Sequence, residues 1–233
     1  MKSSGKKLWK ALCTVLPCLG GLVLTGCSDD DYVYPSVRTD LVELQTDATG
    51  TARTLVTDEG EHYSIQARMG LDGLTPDTLY RVVSQYEVQQ RSNGEEAAAP
   101  ATAVIYSAQL AVAPLPIPAA QVAELHEDPV DLQSIQCSGR YLNLILQVKV
   151  KDQKHVYQFI DRGMEDKGTH CVLHLGLYHD RQGDAEAFHR TVYASVPLWP
   201  YADTLQPTDS VEFHFTTYRE GKTSRRFAVG TLK

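Results

Sequence analysis

The sequence of 233 residues predicts an all-β protein: a removable export segment, then a small closed barrel, then an antiparallel β-sandwich. Three observations lead to this prediction. A basic and then apolar N-terminus runs into a cysteine, and short alternating segments rich in Val, Ile, Tyr and Thr fill the rest of the chain. A cluster of prolines divides those segments into two series.

Residues 1–26 have the pattern of a signal peptide. Four lysines and no acidic residue precede an apolar run at 11–24, which is shorter than the roughly 20 residues that a membrane-spanning helix needs. The motif Leu24-Thr25-Gly26-Cys27 then resembles a bacterial lipobox, in which the cysteine is lipidated and becomes the first mature residue. The alternative is an ordinary secretory signal with a chance cysteine.

Residues 27–36 form a predicted lipidated tether. Its acidic cluster, Ser28-Asp29-Asp30-Asp31, resembles the export signal of surface lipoproteins in Bacteroidota. We therefore expect an outer-membrane lipoprotein, anchored by lipid at Cys27 and displayed at the cell surface. The alternative is a solvated tether that its charge merely keeps extended.

Residues 37–118 contain five predicted strands, a number and size that suit a small barrel of the OB type. The strands are 41–45, 51–57, 62–68, 78–90 and 102–112, with a loop at 93–100 between the last two. Pro114, Pro116 and Pro118 then end the sheet because each removes a backbone donor. We place the domain boundary at these prolines.

Residues 119–233 repeat the pattern with longer strands. These are 141–150, 154–160, 171–179, 189–198, 210–219 and 223–232. In the first of them, Leu142 and Leu144 share one face while Asn143 and Gln147 share the other, which is typical of antiparallel sheets with one wet face. The strand number predicts a two-sheet sandwich, with hairpin turns at 151–153, 181–184 and 220–222.

Several short segments after the signal peptide point to a known family. They are TLVTDEG at 54–60, DPV at 128–130, GRYLNL at 139–144, KH at 154–155, LGLYHD at 175–180 and GDAE at 183–186. These segments and the order of the features resemble the NigD-like lipoproteins, in which a lipobox and acidic segment precede an OB-like domain and a β-sandwich. The resemblance covers nearly all of the chain after the signal peptide. It implies location and architecture. The family takes its name from a gene near a bacteriocin, for which an immunity role was proposed, and it supplies no catalytic residues.

The charge of the chain argues against nucleic acid as a partner. The formal net charge is −7, and loss of the signal peptide with its four lysines would make it −11. Such a body is repelled by phosphate backbones. The expected partners are the membrane, through the anchor, and an envelope protein, a glycan or a peptide.

The histidines do not form a metal motif along the chain. His170 and His174 would lie about 13 Å apart on one strand, too far to bind one zinc ion together, so that a site would need ligands from other strands. The carboxylates of 180–186 lack the spacing of an EF-type calcium loop. We therefore predict no metal and no cofactor.

Two cysteines remain once the signal peptide is removed and Cys27 is lipidated. Cys137 and Cys171 either form a disulfide in the oxidising envelope or remain two buried free thiols. The sequence leaves both alternatives open, because Cys171 has the apolar parity of its strand and Cys137 does not.

Trp199 and Tyr201 are the aromatic candidates for ligand contact. Prolines on both sides hold Trp199 extended, where it could stack on a sugar or peptide, although a plug at the end of the sandwich fits as well. There is no catalytic motif such as G-x-S-x-G or a P-loop. The sequence thus predicts a non-enzymatic binding module of the envelope, with bacteriocin immunity or a small extracellular hydrolase as alternatives.

Overall fold

A computed structural model describes residues 36–89 and 101–229. The predicted signal peptide, the lipobox with Cys27, the acidic segment from Ser28 to Asp31, and the predicted loop 93–100 lie outside these residues. The strands are β1 (Arg38–Thr46), β2 (Ala52–Val56), β3 (His62–Ile65), β4 (Leu79–Gln89), β5 (Thr102–Leu110), β6 (Ile117–Pro118), β7 (Asp131–Ser138), β8 (Tyr141–Val150), β9 (Val156–Asp166), β10 (Cys171–Asp180), β11 (Phe188–Pro197), β12 (Ser210–Thr217) and β13 (Gly221–Ala228).

Strands dominate this structure, which confirms the prediction of an all-β chain. The remaining regular elements are two short 3-10 turns, at Ala119–Gln121 and Trp199–Tyr201. Within the described residues, no helix has both the length and the apolar character needed to cross a membrane.

The first five strands close into a barrel in the order β1-β2-β3-β5-β4. β1 pairs with both β2 and β4, and parallel pairing of β3 with β5 completes the closure. Alternate side chains fill the interior, among them Val42, Leu55, Val82, Tyr86 and Ile105. The predicted small barrel is therefore confirmed.

The remaining strands form two sheets that pack face to face. One has the order β13-β12-β10-β9-β6 and the other the order β11-β8-β7. Their facing side chains bury a shared core that includes Leu144, Leu146, Leu175, Val211 and Phe213. This confirms the predicted β-sandwich.

Two of the three predicted hairpin turns are wrong, because they join strands of opposite sheets. Residues 151–155 lead from β8 to β9, and residues 181–187 lead from β10 to β11. Of the three predicted turns, only the one between β12 and β13 connects the two strands of a hairpin. Side-chain alternation reveals the buried face of a strand but not the sheet that receives the next strand.

β7 and the directions of two strand pairs of the sandwich also differ from the sequence prediction. The sequence predicted no strand at the position of β7. This strand lacks clear alternation, because its register against β8 shifts between Leu132 and Ser134. β10 and β12 pair in parallel, since the chain crosses to the other sheet as β11 before it returns. β6 and β9 also pair in parallel, so the prediction of an antiparallel sandwich does not hold for these two pairs.

Cys137 and Cys171 are free thiols in the structure. Cys137 lies in β7 and Cys171 begins β10, so that they belong to opposite sheets. The disulfide that the sequence left open is not formed. Burial raises the pKa of the Cys137 thiol to about 11, which keeps it protonated at neutral pH.

Candidate functional site

A buried arginine joins the barrel to the sandwich. Arg81 on β4 points out of the barrel, yet its side chain is only 2% exposed. Its Nη1 and Nη2 donate to the two carboxylate oxygens of Asp58 at 2.7 and 2.9 Å. Its Nε donates to Ser195 Oγ at 3.0 Å, and its guanidinium carbon lies 3.8 Å from the centre of the Tyr141 ring. The buried charge is therefore paired and hydrogen-bonded, as a low-dielectric environment requires.

Asn143 of β8 completes this network from the sandwich side. Its Nδ2 donates to Asp58 Oδ2 at 2.7 Å, and its Oδ1 accepts from Arg81 at 3.0 Å and from Ser195 Oγ at 2.7 Å. The sequence pattern places Asn143 on a wet face of β8, but the barrel covers that face and the residue is buried. The network is a polar contact between two modules, which alternation alone cannot distinguish from a solvated face.

An ion pair also crosses the boundary between barrel and sandwich. Glu43 of β1 is 4% exposed and accepts from Arg140 Nη2 at 2.7 Å and from Tyr141 Oη at 2.6 Å. Burial, together with the neighbouring carboxylate, raises the pKa of Tyr141 well above its usual range, so that its hydroxyl remains a donor. One ion pair, between Glu43 and Arg140, thus crosses the junction. The Arg81–Asp58 pair of the barrel crosses it through hydrogen bonds to Asn143 and Ser195.

Trp199 and Tyr201 lie at the end of the sandwich in a 3-10 turn, so the prediction that the prolines hold Trp199 extended is wrong. Trp199 is 37% exposed, with its ring edge-on to Tyr141 and under the Arg140 guanidinium. The Tyr201 hydroxyl donates to Asp161 at 3.0 Å, and its ring packs on the sandwich core. Neither residue lines the crevice described next, so the structure does not bring these two candidates into it.

A crevice of about 510 Å³ opens beside the Arg81 network. On the barrel side it is lined by the start of β1, by β4 and by residues 57–61, which join β2 to β3. On the sandwich side it is lined by alternate residues of β7, namely Ser134, Gln136 and Ser138, together with β8 and Tyr193 of β11. Because the junction holds both walls in place, the crevice has a fixed width.

The crevice is acidic. Asp58 is neutralised by Arg81, but Asp40, Glu59 and Glu61 also line it, and Arg38 is the remaining basic side chain among its lining residues. Tyrosines orient two of these carboxylates: Tyr86 Oη donates to Asp40 at 3.0 Å, and Tyr63 Oη donates to Glu61 at 2.7 Å. Sequence analysis missed these carboxylates because they come from β1 and from a separate turn, which only the closed barrel brings together.

These groups can recognise a ligand by charge and by hydrogen bonds. The described lining residues include carboxylates, hydroxyls and amides, but no histidine, cysteine or lysine. The carboxylates attract cationic groups, and the polar side chains of β7 offer both donors and acceptors. The chemistry of the crevice thus favours the binding of a positively charged, extended ligand.

Two histidines form a buried chain in the sandwich. His179 Nδ1 donates to the carbonyl of Asp128 at 3.0 Å, because a carbonyl can only accept. Its Nε2 then accepts from His155 Nδ1 at 2.9 Å, and the other nitrogen of His155 faces Asp184 at 3.3 Å. Asp184 also accepts from the backbone of Lys151 at 2.6 Å. This chain of hydrogen bonds therefore links the connection from β8 to β9 with the connection from β10 to β11. The hydrogen-bond partners of Asp184 are groups of the protein that stabilise these connections.

Other histidines meet on the outer face of the five-stranded sheet. His174 of β10 lies beside Glu212 and His214 of β12, with the ligand atoms of all three within 4.8 Å of one another. His170, which the sequence places near His174, is not in this cluster. The cluster forms across strands, by the parallel pairing that the sequence did not reveal.

The chain is similar to a family of known sequence and to solved structures of Bacteroides proteins. Residues 114–229 match the NigD-like C-terminal beta sandwich domain. A NigD-like immunity protein from Bacteroides caccae is 35% identical, with a TM-score of 0.64 over 84% of this chain and 94% of that one. A protein of unknown function from Bacteroides vulgatus shares the fold at 15% identity, with a TM-score of 0.64 over 83% of this chain and 90% of that one. No curated protein matches the sequence.

Proposed function

The chain belongs to the NigD-like family, and on this premise we propose that it is a non-enzymatic lipoprotein of the outer membrane that binds a cationic peptide segment. The observation that carries the proposal is the acidic crevice between barrel and sandwich. Three carboxylates, Asp40, Glu59 and Glu61, line it against one arginine, Arg38. Its walls are linked by the Arg140–Glu43 ion pair and by hydrogen bonds from Asn143 and Ser195 to the Arg81–Asp58 pair, so binding requires little reorganisation.

The sheet beside the crevice favours an extended peptide over a glycan. β7 is the last strand of its sheet, in the order β11-β8-β7, and its residues line the crevice. A peptide that lies along such an edge gains main-chain hydrogen bonds, while pockets and charges select its side chains. The carboxylates would then select lysine or arginine at alternate positions of the peptide.

The binding site is tested directly with a fluorescent peptide that alternates lysine with valine. Fluorescence anisotropy with the mature chain gives its Kd, and a peptide with glutamate in place of lysine gives the comparison. In the triple variant Asp40→Asn, Glu59→Gln, Glu61→Gln, we expect the Kd to rise at least about tenfold, because each lost charge contact is worth roughly 0.5 to 1 kcal/mol.

A matched control separates the crevice from overall charge. The triple variant Glu124→Gln, Asp152→Asn, Asp203→Asn removes the same charge from exposed positions that do not line the crevice. We expect its Kd to stay within about threefold of the wild-type value, because distant exposed charges are screened at physiological salt. An equal loss in both variants, or equal binding of the glutamate peptide, contradicts the proposal.

The proposed surface location is tested by protease treatment of intact cells. The tether behind Cys27 carries Asp29, Asp30 and Asp31, whose replacement by alanine removes the acidic segment. We expect rapid loss of the wild-type protein and protection of the alanine variant. Protection of both proteins would place the chain on the periplasmic side and contradict surface display.

Bacteriocin immunity is a second candidate, favoured by the 35% identity to a protein described as a NigD-like immunity protein. An immunity protein at the surface could capture a cationic toxin in the same crevice. A strain that lacks the gene should become sensitive to at least one toxin of a panel, and the wild-type gene but not the crevice variant should restore resistance. Unchanged sensitivity across the panel contradicts this candidate.

A further inference from the structure

The parallel pairing of β10 and β12 creates a cluster of metal-ligating side chains. In the register of these strands, His174 lies opposite Glu212, and Gly176 lies opposite His214. The neighbouring residues Leu173, Leu175, Val211 and Phe213 are buried in the sandwich core. The histidines and Glu212 therefore share the outer face of the sheet, away from the core.

The distances within the cluster suit one small cation. His174 Nδ1 lies 3.1 Å from His214 Nε2. Two nitrogens bound to one tetrahedral zinc at 2.0 to 2.1 Å would be about 3.3 Å apart. A carboxylate oxygen of Glu212 lies within 4.8 Å of both ring nitrogens. The observed separation of the two nitrogens is thus about 0.2 Å shorter than the zinc geometry requires.

The surroundings of His174 direct the lone pair of its inner nitrogen towards His214, with which it shares a hydrogen bond that a bound cation would replace. Its outer nitrogen, Nε2, faces Glu165 Oε2 at 3.3 Å. A carboxylate only accepts, so Nε2 carries the proton, and in a neutral ring Nδ1 then presents its lone pair towards His214. A carboxylate behind a histidine is the arrangement that fixes the ring of a metal ligand. Glu165 would play that part here.

Glu212 is held in place by its own partners. Its Oε1 accepts from Ser224 Oγ at 2.7 Å, and its Oε2 accepts from Arg226. A carboxylate oxygen keeps a second lone pair when it accepts one hydrogen bond, so that Glu212 can still bind a cation. Arg162, which lies against Gly176, is itself paired with Glu127 at 2.5 Å. Both nearby arginines thus have carboxylate partners.

We propose that His174, His214 and Glu212 bind one divalent transition-metal ion of the zinc type, with Glu165 orienting His174. Two imidazoles and one carboxylate are a ligand set that Zn²⁺ accepts, with a fourth position left for water or for an atom of a partner. His174 is 22% exposed and Glu212 is 16% exposed, so the ion can enter from solvent. The site is independent of the crevice and of the peptide proposed to bind there.

Calorimetry with zinc chloride tests the site in the mature chain without a histidine tag. We expect one ion per chain for the wild type. In the double variant His174→Gln, His214→Gln, the affinity should fall at least about 100-fold, because two of three ligands are lost. Glu165→Gln removes only the orienting carboxylate and should cost about 10- to 100-fold.

A matched control and a second measurement keep the test decisive. The double variant His62→Gln, His189→Gln also removes two histidines, both exposed and outside the cluster, and should bind zinc as the wild type does. X-ray absorption at the zinc edge of the wild-type complex should show two imidazole ligands even if the cluster variant folds poorly. Absence of zinc binding below about 1 mM, equal binding in both double variants, or a spectrum without histidine overturns the proposal.

Discussion

At the scale of single residues, the junction between barrel and sandwich is held by charges rather than by an apolar core. Arg81 pairs with Asp58, and Arg140 pairs with Glu43, with Asn143 bridging the first pair to the sandwich. A buried pair of this kind contributes little net stability against an apolar alternative, but it has strict geometry. The Arg140–Glu43 pair and the hydrogen bonds of Asn143 and Ser195 to the Arg81–Asp58 pair therefore specify the orientation of the modules, which in turn sets the width of the crevice.

Removal of one member of the buried pair should be costly. In Arg81→Ala the carboxylate of Asp58 stays buried without its cation, and we expect the free energy of unfolding to fall by about 3 to 5 kcal/mol. Urea denaturation of the mature chain measures this difference. Arg53→Ala is the control, because Arg53 makes an exposed ion pair with Asp47 and should cost at most about 1 kcal/mol. Similar losses of unfolding free energy in the two variants would contradict this prediction, because the buried carboxylate of Asp58 would then carry no extra cost when Arg81 is removed.

The buried histidine chain predicts acid sensitivity. His179 is 1% exposed, and burial lowers its pKa from 6.5. The unfolded chain therefore binds a proton near pH 6.5 that the folded chain resists, and the free energy of unfolding should decrease as the pH falls from 7 towards 5. Asp184 affects the free energy of unfolding only at lower pH. Its burial opposes ionisation, but hydrogen bonds from backbone N–H groups hold its pKa below 3.8.

The slope of stability against pH is the readout for this histidine. Thermal unfolding of His179→Asn between pH 7 and pH 5 should show a smaller slope than the wild type, whatever its absolute stability. Part of the slope should remain, because burial also lowers the pKa of His214. An unchanged slope would show that His179 does not titrate differently in the folded and unfolded chains.

At the scale of elements, alternation predicts strands better than it predicts their neighbours. The apolar residues of β8 and β12 recur at every second position, so these strands and their buried faces follow from the sequence. The polar face of β8 does not follow from the sequence in the same way, because Asn143 on that face is buried by the barrel and not solvated. Which sheet receives each strand, and in which direction, depends on contacts between distant segments, and so the crevice and the histidine cluster could not be predicted.

The turn between β7 and β8 should tolerate no side chain at Gly139. This glycine has φ of +54°, and a Cβ there would lie 2.4 Å from the backbone oxygen of Asp58 in the barrel. Gly168 also has a positive φ, +84°, but nothing lies within 4 Å of a Cβ built there. Each alanine variant carries the cost of the backbone conformation, about 1 kcal/mol, and only Gly139→Ala adds a clash between the modules.

Urea denaturation of the two glycine variants separates these costs. We expect Gly139→Ala to lose at least about 1 kcal/mol more than Gly168→Ala, because backbone atoms cannot move aside as a flexible side chain can. Equal losses would show that barrel and sandwich can separate at this point without cost, and the fixed width of the crevice would then be in doubt.

At the scale of the whole molecule, the acidic crevice belongs to a chain whose formal net charge is −7. Overall charge favours the approach of any cationic ligand, whereas the crevice determines where it binds. The two effects differ in their response to salt, because approach is screened beyond about 10 Å at 0.1 M ionic strength. Peptide binding should weaken with salt but remain confined to one place on the surface.

The most direct test is to map that place by nuclear magnetic resonance. The mature chain, labelled with nitrogen-15, is titrated with the lysine and valine peptide at physiological salt. We predict that the perturbed amides cluster at the start of β1, at residues 57–61 and along β7, while the outer face of β12 and β13 stays unchanged. Perturbations scattered over the acidic surface, or centred away from β7, would contradict the claim that the crevice is the binding site.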